Sequence, residues 1–280
     1  MTGRPRATAK LVSAFAAGAA VACSRSPRSP APDPMAPSAQ TAAATPPPAA
    51  PSTTARASEP PPPLCGAPGH VLVFVSPEHP VRGKPLSVVA VSERPLDAQL
   101  SLSPSSGGAP VVSRERHGGP PYFWLAQLDT PAGGAWRASF SRDDACGGDV
   151  LAKKDVSVAG GRTALAPAPP GDLWAVRAAW SAAVEDLYSA WIEHLFDAPI
   201  DEQPSWNALH EVLRDRSRNF LFDHLGASED ELGIVVRPDC ADLPYFLRAY
   251  FAFKLGLPFG WSRCSRGEGG TPPTCADFAT

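Results

Sequence analysis

The sequence has little that would attract a polyanion. Its 25 Lys and Arg are outnumbered by 28 Asp and Glu, for a net charge of -3 and a pI near 6.1. That excludes a basic footprint for nucleic acid or anionic lipid. No glycine-rich phosphate loop precedes a predicted helix. No His, Cys, Asp and Glu residues recur at metal-ligand spacing, and Asp239, Cys240 and Asp242 alone make no zinc site. The acidic run Glu229-Asp230-Glu231 lacks the frame of a calcium loop and reads as a solvated turn. No cofactor is expected. After residue 23 no apolar run is long enough to span a bilayer.

What is abundant is proline, 34 residues, unevenly placed. Arg4, Arg6 and Lys10 precede the apolar run from Leu11 to Ala22, which has the pattern of a secretion signal. It ends in Ala20-Val21-Ala22-Cys23, which resembles the lipobox of bacterial lipoproteins. The resemblance implies lipidation at Cys23. Cleavage after Ala22 by the small-residue rule is the alternative. The expected location is therefore outside the cytoplasm, in the periplasm or outer envelope, with a lipid as the sole membrane contact. Residues 24–63, nearly all Pro, Ala, Ser and Thr, cannot bury enough surface to offset chain entropy, and read as a semi-rigid tether.

From 64 to 159 the apolar period is two. Candidate strands are 70–75, 86–91, 99–102, 111–114, 122–128, 136–140 and 155–158, separated by Pro- and Gly-rich turns. The stretch from Tyr122 through Ala138 resembles a hairpin of an immunoglobulin-like domain, which implies an all-β sandwich. Cys65 and Cys146 bracket it, and in an oxidising compartment they read as a disulfide rather than two thiols. Residues 160–170 read as a second linker. From 171 to 280 the period is helical: a helix from Asp172 to about Phe196, a second capped by Ser205, and a third ending at Gly256.

The third helix carries the chemical hypothesis. Cys240 lies just before the apolar face formed by Leu243, Phe246, Leu247, Tyr250 and Phe251, and Gly256-Leu257-Pro258 stops the helix. A helix start favours a thiolate. The segment Pro238 to Pro258 resembles the papain-like superfamily, in its bacterial transglutaminase-like and NlpC-like cysteine peptidase branches. The resemblance implies that Cys240 is the nucleophile of acyl transfer or amide hydrolysis on a peptide or a peptidoglycan cross-link. No histidine follows Cys240, so the candidate bases are His210 and His224; His194 fits less well. Cys264 and Cys275 flank a Gly- and Pro-containing loop and read as a second disulfide, which leaves Cys240 outside both bridges.

The fold expected is thus multidomain: an immunoglobulin-like sandwich followed by a mainly α module resembling the front half of a papain-like α+β fold. Two functions are carried forward. One is an exported envelope (lipo)protein related to papain-like cysteine hydrolases, truncated or diverged. The other is a non-catalytic envelope lipoprotein whose β-domain binds a cell-wall polymer or a partner protein.

Overall fold

A computed structural model describes residues 62–161, 169, 173–265 and 267–277. The expected secretion signal, Cys23 and the expected tether up to residue 61 lie outside the described residues.

Eight strands form two four-stranded antiparallel sheets. They are β1 (Val71–Ser76), β2 (Leu86–Ser92), β3 (Ala98–Pro104), β4 (Val111–Ser113), β5 (His117–Gly118), β6 (Tyr122–Leu128), β7 (Gly134–Arg142) and β8 (Val150–Val158). One sheet has the order β1-β2-β6-β5 and the other β4-β3-β7-β8. The described helices are α1 (Ala182–Phe196), α2 (Leu209–Leu213) and α3 (Leu243–Leu255).

The two sheets share one core. Val73 and Val75 of β1, Val88 and Ala90 of β2 and Trp124 of β6 meet Leu100, Leu102, Trp136, Ala138 and Phe140 from the other sheet. The alternate residues behave differently in each sheet, because successive side chains leave a strand on opposite faces. In β3 and β7 they are polar, as with Ser101, Arg137 and Ser139. In β1, β2 and β6 they include large apolar residues. Phe74, Val89, Val91 and Phe123 join a second core with Leu187, Trp191 and Leu195 of α1, Phe220, Leu221, and Leu247 and Phe251 of α3.

That second core overturns the expected fold class. The protein is not an immunoglobulin-like sandwich followed by a separate, mainly α, papain-like module. It is mostly β-sheet with three helices among the described residues, and the helices are buried against the β1-β2-β6 face. The described residues from Pro63 onward fall into one compact unit. The physical reason is the two-faced apolarity of β1, β2 and β6, which demands a cover on each side.

The first helix also starts later than expected. Ser181, not Asp172, caps it, its hydroxyl accepting the Val184 N–H at 3.3 Å. Trp174 to Trp180 runs as an irregular strap across the end of α3. The Trp174 and Trp180 indoles donate to the Leu257 and Pro258 carbonyls, both at 2.9 Å. The Arg177 and Ala178 N–H groups donate to the Gly256 carbonyl. Gly256 caps α3 at φ +63°, and a Cβ there would meet the Ala175 carbonyl oxygen at 3.2 Å, so glycine serves both the left-handed turn and the strap. The second helix begins at Leu209 after Ala208 rather than at the Ser205 cap.

Both expected disulfides form. Cys65–Cys146 joins the chain ahead of β1 to the turn between β7 and β8, across a separation of 81 residues. Cys264–Cys275 closes a loop near the end of the described chain. Paired cysteines are the mark of an oxidising, exported setting. Among the described residues no helix is long and apolar enough to cross a membrane.

Candidate functional site

Cys240 is exposed and belongs to neither disulfide. It sits in a turn two residues ahead of the Asp242 cap, with Leu243 opening α3. The Asp239 carboxylate organises this turn. Its Oδ1 accepts the Ala241 N–H at 2.9 Å and the Asp242 N–H at 2.8 Å, while its carbonyl accepts the Leu243 N–H. Donors that could steady an anionic sulfur or oxygen at this helix start are thus already engaged by a carboxylate.

The candidate bases each have partners of their own. His210 lies at the start of α2, where its Nδ1 accepts the Val236 N–H at 3.2 Å. An imidazole nitrogen holding a backbone N–H is occupied as an acceptor. His224 is only 4 % exposed. Its Nδ1 lies 3.1 Å from Ser76 Oγ, its ring stacks on Phe74, and its carbonyl accepts the Glu78 N–H. Burial, aided by the nearby Lys254 charge, pushes its pKa down to about 3, so the ring is neutral across the physiological range. His194 is also held below its ordinary pKa, by burial and then by His117, and packs between Phe123 and Phe220. Its buried Nε2 has no hydrogen-bond partner among the described residues.

His224 lines a cavity of about 280 Å3 where the helices meet the sheets. Phe74, Glu78, Lys154, Arg177, His224 and Lys254 contribute to its walls. Two of its charged groups pair with each other. Arg177 Nη1 binds both Glu78 carboxylate oxygens at 2.9 Å.

Lys254 is fully buried. Its Nζ binds Glu229 Oε1 and, at 2.5 Å, Asp230 Oδ2. Glu229 also accepts the Leu225 and Ala227 N–H groups. Burial alone would raise its pKa, but Lys254 overrides this and holds it down at about 2. Asp223, beside Glu229, is pushed up to about 6 by burial and by its hydrogen bond to Glu229. The Tyr250 hydroxyl donates to Asp230 Oδ1 at 2.9 Å and accepts from Asn219 Nδ2 at 2.9 Å. Asn219 in turn accepts the Trp191 indole N–H. A polar chain therefore runs from α1 through Asn219 and Tyr250 to the ion cluster under α3.

This cluster was not legible beforehand: the acidic run read as solvated turns out to be the partner of a buried lysine. The one available hint was Lys254 itself, a charge in the otherwise apolar run Tyr250 to Leu257. Among the described residues no group of three or more His, Cys, Asp or Glu is placed to hold a metal ion. No protein-family model matches the chain, and no curated protein matches it.

Proposed function

We propose that this is a non-catalytic protein of the cell envelope. Its Pro-rich segment is a tether, lipid-anchored at Cys23, that holds the folded unit away from the membrane. The cavity between the sheets and α3 is its binding feature, suited by its size and by the charged side chains in its walls to a small polar group of a cell-wall peptide. The observation that carries the non-catalytic reading is the fate of the two histidines. His224 is buried and neutral against Ser76 and Phe74, and His210 is committed to the Val236 N–H. A general base needs a pKa near the working pH and reach to the proton it takes; burial denies His224 the first, and His210 already holds a backbone N–H on Nδ1.

The other reading makes Cys240 a nucleophile of acyl transfer on peptide or peptidoglycan amides. Its exposure just ahead of α3 favours it. Iodoacetamide labelling of the folded protein at pH 6 separates the two. The non-catalytic reading expects Cys240 to react no faster than free cysteine, and Cys240→Ala to keep any peptidoglycan binding. Accelerated labelling together with amide hydrolysis that Cys240→Ala abolishes would establish the nucleophile instead.

A further inference from the structure

The cavity where α3 meets the sheets holds hydrogen-bonding capacity that the protein does not use on itself. Each carboxylate in its walls already has a cation: Glu78 holds Arg177 Nη1, and Asp155 Oδ1 accepts from Arg137 Nε at 2.8 Å. The Lys254 ammonium is enclosed by Glu229 and Asp230. Three donors remain. Arg177 gives only Nη1 to Glu78, and its Nη2 has no hydrogen bond among the described residues. The Lys154 ammonium has neither an ion pair nor a hydrogen bond among the described residues. Lys154 leaves β8 on the same face as the buried Val156, which turns its stem toward the other sheet and the cavity.

The third donor is His224. Ser76 is buried, and among the described residues its hydroxyl has one partner, His224 Nδ1. A buried donor without an acceptor is rarer and costlier than an unfilled lone pair, so the hydroxyl donates to Nδ1. The neutral ring then carries its proton on Nε2. That Nε2 has no partner among the described residues, although the ring is nearly buried and forms part of the cavity wall. The charges of Lys254, Arg177 and Lys154 all act on His224, so the donors converge on one region.

Taking the cavity as the protein's binding feature, we propose that it receives the free carboxylate at the end of a peptide. Arg177 Nη2 and Lys154 Nζ are its cationic partners, and His224 Nε2–H is the neutral donor between them. The idle capacity is all donor and its surplus charge positive, which calls for an anionic acceptor. Charge-assisted hydrogen bonds of this kind are the strong ones. Phe74 and Leu255 add apolar wall, which suits a carboxylate carried on a short side-chain-bearing residue better than a bare inorganic anion. A volume of about 280 Å3 is at the low end for ligand cavities and fits a chain end, not a length of polymer.

The test titrates the full-length protein with N-acetyl-D-alanyl-D-alanine, with its C-terminal carboxamide, and with N-acetyl-L-alanyl-L-alanine, following the His224 imidazole resonances. The D-configured acid is expected to shift them saturably, and the carboxamide to bind about tenfold more weakly or worse. Arg177→Gln and Lys154→Gln are each expected to weaken the acid about tenfold while the rest of the spectrum stays that of the folded protein. Lys153→Gln, on the opposite face of β8, is expected to leave binding unchanged. A carboxamide that binds as tightly as the acid overturns the carboxylate site but leaves the cell-wall peptide reading standing. Binding of the L-configured acid alone does the reverse: the carboxylate site holds and the cell-wall reading falls. No His224 response to any of the three overturns the carboxylate site, as does a Lys153→Gln loss equal to that of Lys154→Gln.

Discussion

The two sheets are built from strands of similar length and the same antiparallel pairing, yet they face different surroundings. In β3 and β7 one set of alternate residues is apolar and the other is Ser, Gln or Arg. In β1, β2 and β6 both sets contain large apolar residues. Phe74, Val89, Val91 and Phe123 cannot be left to water, and α1 and α3 cover them. The difference teaches that the fate of the helical segment is written in the strands. A sheet apolar on both faces recruits a third layer, whereas a one-faced sheet stops at two.

The comparison can be broken most severely where the third layer carries charge. Lys254→Met leaves Glu229 and Asp230 buried without a cation, and is expected to cost about 3–5 kcal/mol in a denaturant titration. Next comes a matched pair on the outer faces. Phe123→Ala, beneath α1, is expected to lose about 3–5 kcal/mol. Ser139→Ala, on the outer face of β7, should change stability by less than about 0.5 kcal/mol. Equal effects would erase the distinction between the sheets.

Acidity sharpens the same contrast. The His224 pKa is depressed in the folded state, so the unfolded chain binds the extra proton. Its contribution is complete above about 6.5 and is lost as pH falls toward about 3, on the order of a few kcal/mol. Glu229, also depressed, adds a loss between about 4.5 and 2. Asp223 is raised, so its contribution is present at low pH and disappears as pH rises through about 6, partly offsetting His224. Unfolding midpoints measured across this range should fall on acidification, and His224→Gln should flatten the upper part of the slope.

The disulfides give a further comparison. Cys65–Cys146 closes a loop of 81 residues. Its replacement by serines is expected to cost about 4 kcal/mol on the chain-entropy account. Cys264–Cys275 spans 11 residues of exposed loop. The same change there should move the main transition far less. The smallest effect is expected at Cys240→Ala, within about 0.5 kcal/mol.

Much of the β-sheet was legible because its signal is local. Period two and Pro/Gly turns located seven strands, and only the two-residue β5 at His117 was missed. The end of α3 was also readable, since Gly256 is a local stop sign. The start of α1 was not. Trp174 and Ala178 extend the helical spacing of the stripe, but the strap's N–H groups and indoles find carbonyls at the end of α3, 78 or more residues away. Period-two counting scored Phe74, Val89 and Phe123 as strand residues without asking what lay on the far face. The ion cluster escaped for the same reason: Glu229-Asp230 looks solvated until α3 delivers Lys254.

Sheet and helices share one core, and native-state hydrogen exchange can show whether they open together. The amides of Val89 and Val91 in β2, Leu187 and Trp191 in α1, and Phe251 in α3 are predicted to exchange with one common opening free energy, equal to that of global unfolding. Helical amides that open at distinctly lower free energy while β2 stays protected would contradict it, and would return the helices to the status of a separate module.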